Sequence, residues 1–506
     1  MEFYRAGLKR MGDQWRGGGP NGEQFDVAGH IYAADLDLFG RDSLYAMLCA
    51  ARTQMGENKL AQWLLAPADV NVIRERQAGI ADLRNRLDWR EALSIDGEPP
   101  RIALGPEKLK EWAQAPNQLG RSLIRWAAPL LCGLAVVAAL VWAVWGVIFP
   151  LLAVLLVEIA VAYRLKDAIQ AAVAAVESTY EDLKGIAGLM QRIEAERFDA
   201  PPLRALTRKL STRSLTASAA IAKLGTIVNF VEARRNPLLA PLLLLLMYPL
   251  QAALAAERWR GEHRSVIGSW LDVLGEIEAL ASLARYAYEH PKDPFPEFID
   301  GAAAFRATAL GHPLIPAAAC VRNDIDLSGN TRVLLVSGSN MSGKSTLLRA
   351  VGINAVLAMA GAPVRAQRLQ LTPLQIGASI RINDSLQEGS SHFYAEITRL
   401  RRLFEPVQLP QLFLLDELLQ GTNSADRQIG AHGILRALLG RDAIGLVTTH
   451  DLALTDVPAL EAGALQNVHF QEELEHGTLK FDFKLRAGVV TKSNGIELMR
   501  SLGLDV

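Results

Sequence analysis

Apolar residues recur every three or four positions between residues 36 and 83, which is the spacing of amphipathic helices. Pro67 divides this stretch into two predicted helical runs. The same spacing returns within residues 164–235 and 260–290. The positions expected to form the buried helix faces are Leu44, Met47, Leu48, Leu60, Trp63, Leu64, Ile73, Ile80, Leu83, Trp270, Leu271, Leu274, Ile277 and Leu280.

The longest uncharged stretch runs from Trp126 to Val157. A single helix of that length would be about 48 Å long, whereas a bilayer core is about 30 Å thick. The run therefore predicts two membrane spans that fold back near Gly146–Pro150, with the second continuing to Tyr163. Basic residues flank both ends, which predicts that both ends lie in the cytoplasm. A buried helical hairpin in a soluble core is the alternative interpretation.

A second apolar run, Asn236 to Ala256, is long enough to cross a membrane, but Gln251 and three prolines dilute it. A third crossing would place all later residues on the far side of the membrane, away from cytoplasmic ATP. If the first run crossed only once, the basic segment 164–235 would lie outside, against the positive-inside tendency. We interpret the second run as a buried core helix.

From Thr331 onward, short β-rich segments alternate with helix-prone ones, which predicts a parallel sheet in an α/β domain. The β-rich segments are TRVLLVSG, LFLLDE and AIGLVTTH. Because the preceding part of the chain has the helical spacing, the expected fold class is α + α/β.

A phosphate-binding motif, GxxxxGK[ST], occupies residues 338–345 between a β-rich run and the helix-prone segment Ser345 to Ala360. Backbone N–H groups at the start of such a helix can surround phosphates. We expect Lys344 to neutralise the β- and γ-phosphates of ATP and Ser345 to coordinate Mg²⁺. The predicted nucleotide-binding residues are Gly338, Ser339, Asn340, Met341, Ser342, Gly343, Lys344, Ser345 and Thr346.

Two carboxylates, Asp416 and Glu417, end the apolar run LFLLDE. A buried strand end is a costly place for charge unless a cation lies there, so Asp416 is predicted to hold Mg²⁺. Glu417 is expected to orient or deprotonate the attacking water. His450 ends a further predicted strand and is expected to contact the γ-phosphate or that water, with a structural role as the alternative.

This set of motifs resembles that of the MutS family of DNA-repair ATPases. GSNMSGKST resembles the phosphate loop of that family, DELLQGTNSAD its magnesium motif, and TTHDLALT its histidine switch. Residues 383–397, NDSLQEGSSHFYAEI, resemble its signature loop, D-L-x-x-G-x-S-x-F-x-x-E. The matching positions there are Gly389, Ser391, Phe393 and Glu396. Residues 35–83 also resemble the start of the helical core of the family, and the tail FKLRAGVVTKSNGIELMRSLGL resembles its ending.

The resemblance implies an ABC-like P-loop ATPase that hydrolyses ATP with Mg²⁺. It also implies a homodimer through the ATPase domains, in which Ser391 reaches the γ-phosphate bound by the other subunit. DNA is the implied partner, and the implied activity is that of an ATP-dependent DNA damage sensor related to mismatch repair. Three departures stand out: no mismatch-reading domain fits before residue 35, the apolar run interrupts the core, and Leu419-Gln420 replaces a Gly-Arg pair.

The expected organisation follows from these matches. It has an N-terminal arm (1–34), polar and predicted to be loosely held, and a first part of the helical core (35–125). A transmembrane hairpin (126–163), a second part of the core with lever helices (164–300) and the ATPase domain (301–506) follow. The expected location is the inner membrane, with the core and the ATPase domain in the cytoplasm.

Composition limits the candidate partners. The net charge is −1, from 53 basic and 54 acidic residues, so any nucleic-acid surface must be local, and residues 192–213 are the candidate. The three cysteines form no CxxC pair, so neither a zinc site nor a disulfide framework is expected. The main functional hypothesis is a dimeric, membrane-anchored, DNA-binding ATPase. The alternative is a membrane ATPase that acts on a protein or lipid without DNA, and an exporter subunit is disfavoured because no LSGGQ-like signature is evident.

Overall fold

The protein folds into two compact units in a computed structural model. The first unit comprises Met1–Cys49, Leu60–Asn85 and Leu280–Val506, and the second comprises Ala50–Lys59 and Arg86–Ala279. The structure describes residues 2–25, 27, 29–96, 106–116, 119, 122–173, 180–211, 215–232, 246–339, 341–380, 392–420, 422–450, 463–475 and 478–490.

Helices dominate up to residue 289. They are α1 (Glu2–Met11), α2 (Leu44–Leu48), α3 (Gln54–Leu65), α4 (Val70–Arg84), α5 (Leu87–Asp96), α6 (Pro106–Gln114), α7 (Ser122–Trp145), α8 (Phe149–Arg164), α9 (Lys166–Val173), α10 (Tyr180–Ala195), α11 (Pro201–Lys209), α12 (Ala217–Glu232), α13 (Tyr248–His263) and α14 (Ile267–Glu289). Every position predicted for the buried helix faces is at most 5% exposed. The predicted helical spacing is therefore confirmed, because those apolar faces form the cores of the two units.

The long apolar stretch forms two consecutive helices, α7 and α8, joined at Gly146, whose φ of +70° suits glycine. Within α7, Trp126–Trp145 is 20 residues long with a mean hydropathy of 2.4, and only 17% of it is buried. Among the described residues this is the one helix long and apolar enough to cross a membrane. Helix α8 has 16 residues, which is shorter than the roughly 20 that a membrane span needs. Of the two predicted spans, only the first therefore has the length of a crossing helix.

The second apolar run is described from Leu246 onward, and residues 233–245 lie outside the described residues. Helix α13 begins at Tyr248, directly before Pro249, which suits the first turn of a helix. Its apolar residues Leu250, Ala253 and Ala256 are at most 2% exposed. The described part of this run therefore agrees with the prediction of a buried helix.

The N-terminal segment is held more firmly than its polar sequence predicts. Residues 2–11 form α1, and Arg10 makes an ion pair of 2.6 Å with Glu289. Further along, Ile31 O accepts a hydrogen bond of 3.0 Å from Ala378 N, and Arg16 Nη2 donates one of 3.0 Å to Leu314 O. The expectation of a loosely held arm is wrong for these residues, because their partners lie far away in the sequence.

The rest of the first unit is an α/β fold with two sheets. Its elements are β1 (Glu297–Phe298), β2 (Phe305–Leu310), β3 (Asn323–Leu327), β4 (Val333–Ser337), α15 (Lys344–Ala360), β5 (Arg368–Leu371), β6 (Gln375–Ser379), α16 (His392–Arg402), β7 (Gln411–Leu415), α17 (Ser424–Leu439), β8 (Ile444–Thr449), β9 (Leu465–Glu475) and β10 (Thr478–Ala487). The larger sheet has the order β10-β9-β4-β8-β7-β6 and is parallel except for β10. The predicted parallel sheet is confirmed, and a four-stranded sheet, β1-β5-β2-β3, accompanies it.

Candidate nucleotide site

The phosphate loop connects β4 to α15 at the carboxyl edge of the parallel sheet. All five residues of β4 are buried, and α15 starts at Lys344 directly after Gly343. Gly343 has a φ of +103°, where a side chain would be strained. Gly338 has a φ of +152°, and a Cβ there would lie 2.8 Å from Ser342 Oγ, so both positions favour glycine. Asn340 lies outside the described residues.

The Lys344 side chain is 5% exposed and points back into the loop. Its Nζ donates hydrogen bonds of 2.9 Å to the carbonyl oxygens of both Gly338 and Ser339. Burial lowers the pKa of Lys344, and the carboxylates of Glu417 and Asp416 offset part of that effect. The ammonium group is thus held at the mouth of the loop beside two carboxylates.

The acidic pair follows β7, and β8 runs parallel beside it, with Leu415 opposite Val447. Thr448 Oγ1 donates a hydrogen bond to Asp416 Oδ1 and accepts one of 2.9 Å from Glu417 N. This threonine therefore fixes both carboxylate-bearing residues, a role that the sequence analysis did not assign to it.

Three of the predicted residues converge on the Glu417 carboxylate. Glu417 Oε1 lies 3.8 Å from Lys344 Nζ and 3.8 Å from His450 Nδ1. His450 is half-exposed, and Glu417 is one quarter exposed. Because these side chains come from three loops that meet at one sheet edge, their arrangement agrees with the expected constellation.

A cavity of about 570 Å³ adjoins the loop, and the predicted residues Met341, Gly343, Lys344, Ser345, Thr346, Asp416 and Glu417 line one part of it. The remaining walls are largely apolar and were missed by the sequence analysis. They comprise Leu310, Gly311, His312, Ile315, Ala319, Cys320, Val321, Asn323, Leu347, Ala350, Phe470 and Phe483. Nothing in the local sequence marks these residues, because strands and loops far apart in the chain bring them together.

An irregular strand directs one aromatic wall onto the phosphate loop. The β9–β10 register shifts between Phe481 and Leu485, and Phe483 has a φ of +55°. Asn323 holds this irregularity by donating to Phe483 O at 3.0 Å and accepting from Leu485 N at 2.8 Å. A Cβ at Gly343 would lie 3.1 Å from Phe483 Cδ1, so the ring packs directly over the loop.

The composition of the cavity suits a nucleotide with its metal. Burial, with a smaller contribution from Arg349, lowers the pKa of His312 to about 4, so this wall is uncharged at neutral pH. At the other end, Lys344, Asp416 and Glu417 line the cavity. An apolar slot beside one cation and two carboxylates fits a base at one end and Mg²⁺-bound phosphates at the other.

The parts of the chain that the structure describes include most of the predicted site. The exceptions are Asn340 and the segment that holds Gly389 and Ser391, which lie outside the described residues. From the same signature pattern, Phe393 packs partly buried against the core, and Glu396 is buried.

The phosphate loop, the acidic strand end and the parallel sheet together place this domain in the class of P-loop ATPases. Residues 334–505 match the family model of MutS domain V, so this part of the chain is similar to the P-loop ATPase domain of MutS proteins. The chain is 37% identical over 196 residues to "Endonuclease MutS2" of Thermus thermophilus, covering 38% of this chain and 25% of the relative. It is 34% identical over 235 residues to "DNA mismatch repair protein MutS" of another Thermus thermophilus strain, covering 46% of this chain and 28% of the relative. The chain thus matches about a quarter of the length of these relatives.

Proposed function

We propose that this protein is a dimeric, membrane-anchored ATPase of the MutS type that binds DNA and couples nucleotide turnover to a clamp motion. The observation that carries the catalytic part is the convergence of Lys344 and His450 on Glu417, beside a cavity large enough for a nucleotide. The relatives named above are a mismatch repair protein and an endonuclease, which supports a role on DNA.

Each residue of the site has a role in this proposal. Lys344 and the loop amides hold the phosphates, and Ser345 with Asp416 holds Mg²⁺, which supplies charge neutralisation when bound. Glu417 orients or deprotonates the attacking water. His450 lies close enough to Glu417 to share that water or the γ-phosphate.

The DNA part rests on a basic surface on α11. This helix buries Leu203 and Leu206, and its exposed basic residues are Arg204, Arg208 and Lys209. In the loop before α11, Glu196 and Asp199 both pair with Arg86, at 2.6 Å and 2.7 Å, which offsets one of their two negative charges. An exposed set of like positive charges suits DNA phosphates.

The membrane part rests on the exposed apolar surface of α7 and α8. Trp126, Leu130, Val144 and Trp145 on α7, and Phe149 on α8, are each at least 66% exposed. Apolar surface of this extent requires a lipid or protein environment. The proposed location is the inner membrane, with the helical core and the ATPase domain on the cytoplasmic side. The same surface favours the second candidate, an ATPase that acts on a protein or lipid without DNA.

The test is ATP turnover by purified protein in nanodiscs, with and without duplex, mismatched and branched DNA at two salt concentrations. Glu417→Gln measures background hydrolysis and is expected to lower turnover at least about 100-fold, the scale of lost general-base catalysis. DNA that changes turnover in a salt-dependent way supports the DNA proposal. Turnover that ignores every DNA supports the second candidate.

The basic surface is tested by a matched pair of triple variants. Replacing Arg204, Arg208 and Lys209 by Gln should reduce the slope of log affinity against log salt by about 3, roughly one for each lost phosphate contact. The control replaces three exposed basic residues of the first unit, Arg5, Arg74 and Lys292. Equal slopes for both triple variants would contradict the assignment of α11.

Membrane anchoring has its own test. Full-length protein is expected to remain in the membrane fraction after an alkaline carbonate wash, and a variant lacking residues 126–163 is expected to be released. Retention of the deleted variant would contradict the anchor.

A further inference from the structure

We propose that Glu396 is a positioning residue for Glu417, because its carboxylate holds the turn from which Glu417 projects. This inference rests on the proposed role of Glu417. Glu396 lies on α16 and is 1% exposed. Its Oε1 accepts a hydrogen bond of 2.6 Å from the backbone N–H of Leu419, two residues after Glu417.

The turn needs such support because its backbone is strained. Glu417 has a φ of +49° and Leu419 a φ of +59°, both in the left-handed region. This conformation costs about 1–2 kcal/mol for each residue that is not glycine. Two such residues within three positions persist only when surrounding contacts determine the turn.

The contacts around the turn come from three elements. From α17, Arg427 donates to the carbonyl oxygens of Leu419 at 3.2 Å and of Gln420 at 3.3 Å. From β8, Thr448 accepts from Glu417 N. Glu396 on α16 is the partner of the Leu419 N–H, and Leu419 itself is 5% exposed. Losing the Glu396 acceptor would leave a buried amide unpaired, which favours relaxation of the turn.

Helix α16 is fixed in turn by the N-terminal segment. The Arg399 guanidinium donates to the carboxylate of Asp35 and, at 3.3 Å, to Ala378 O. Asp35 is fully buried and also accepts from Ile380 N at 2.8 Å. Polar contacts, partly or fully buried, therefore connect Asp35 to α16 and α16 to the turn that carries Glu417.

Glu417 acts only at close range, so a small displacement of the turn has a large effect on rate. A shift of about 1 Å in a catalytic group costs on the order of 100-fold in turnover. ATP binding is expected to change little, because Leu419, whose backbone N–H donates to Glu396, does not line the cavity.

The experiment compares Glu396→Leu, which removes the acceptor, with Glu396→Gln, which keeps an oxygen at the same reach. We expect Glu396→Leu to lower kcat by 10- to 100-fold with ATP affinity within twofold of wild type, and Glu396→Gln to keep most of kcat. Glu405→Leu is the control, because Glu405 is exposed just after α16. A wild-type kcat for Glu396→Leu, or equal losses for the Gln and Leu variants, would overturn the proposal.

Two further measurements keep the test decisive. If Glu396→Leu does not bind ATP, Glu396→Asp is used in its place. The Asp side chain is one methylene too short to reach the Leu419 N–H, so the proposal then requires a higher kcat for Glu396→Gln than for Glu396→Asp. Turnover by Glu417→Gln separates the two claims. An active Glu417→Gln overturns the proposed role of Glu417, whereas an inactive Glu417→Gln with an active Glu396→Leu overturns only the positioning role.

Discussion

Leu419 has a left-handed backbone conformation, with a φ of +59°, at a position where the MutS family, which the chain resembles, has glycine. The leucine side chain is 5% exposed, and a Cβ added at Gly430 would lie 2.5 Å from its Cδ1. Burial of a leucine side chain contributes about 2–3 kcal/mol, which exceeds the cost of about 1–2 kcal/mol for the strained backbone. The departure from the family pattern is therefore tolerated because the side chain packs in the core.

This balance predicts an unusual order of stability among variants. Leu419→Ala loses the packing and keeps the strain, whereas Leu419→Gly loses the packing and relieves the strain. We expect both to be less stable than wild type, but Leu419→Gly to be more stable than Leu419→Ala by about 1 kcal/mol, the reverse of the usual order. Urea unfolding followed by fluorescence measures this, with ATP binding as the check on the native state. A more stable alanine variant would contradict the left-handed conformation.

At the residue scale, the sequence identified the candidate catalytic and metal-binding side chains but not the residues that position them. Lys344, Asp416, Glu417 and His450 were found because their spacing reflects chemistry that any chain needs at such a site. Thr448 acts as a backbone and carboxylate partner, and its role depends on the register of β7 and β8, which appears only in the fold.

Helices α3 and α14 meet at a close crossing within the second unit. A Cβ at Gly275 would lie 2.7 Å from Met55 O, and one at Gly56 would lie 2.6 Å from Glu278 Cβ. Glu278 is 2% exposed and accepts hydrogen bonds from Arg52 N at 2.8 Å and from Thr53 N at 3.2 Å. A buried carboxyl thus caps the start of α3 at the point where the two helices are closest.

The buried carboxyl predicts a pH dependence of stability. Burial raises the pKa of Glu278 from 4.5 to about 7, and hydrogen bonds from Thr53 and Arg52 oppose part of that rise. Because the folded pKa exceeds the unfolded one, this contribution is complete below pH 4.5 and is lost as pH rises through about 7. It should fall by about 2 kcal/mol between pH 5.5 and pH 7.5.

Glu278→Gln tests this dependence, because the amide does not titrate. Denaturant unfolding of both proteins at the two pH values gives the difference in unfolding free energy. We expect the unfolding free energy of wild type, relative to that of Glu278→Gln, to be lower at pH 7.5 than at pH 5.5 by about 2 kcal/mol. A difference that stays constant with pH would show that Glu278 keeps the same protonation state in the folded and unfolded protein.

At the element scale, periodicity predicted long elements better than short ones. The faces of α3, α4 and α14 were found because several apolar positions repeat in each, and β4, β7 and β8 because each is an apolar run. The four-stranded sheet was missed, since β3 reads NDIDL and alternates burial with exposed acids. Helix α1 was missed because its contacts, such as Arg10 with Glu289, are distant in sequence.

At the scale of the whole molecule, the chain passes twice from the first unit to the second and twice back. It leaves the first unit after Cys49 and after Asn85, between helices, and re-enters it inside α3, at Leu60, and inside α14, at Leu280. Residues 35–49 and 60–85 were predicted to belong to the helical core, whereas by contacts they cluster with residues 280–506. Local patterns identify helices, but the partition into units depends on long-range contacts such as that of Leu36 with Gly352.

The proposed dimer predicts complementation between two inactive variants. If Ser391 completes the site of the other subunit, Ser391→Arg should bind ATP without turning it over, and Lys344→Ala should lack binding. In a mixed dimer, the phosphate loop of the first variant faces the intact Ser391 of the second, so one of the two sites is restored. With random pairing, half of the dimers are mixed, and an equal mixture should recover roughly a quarter of the wild-type rate per site. Each variant alone is the control. A site completed within one chain cannot be rescued by mixing. If Ser391→Arg is inactive alone and the mixture is equally inactive, Ser391 acts in the site of its own subunit, and an active Ser391→Arg would place Ser391 outside catalysis.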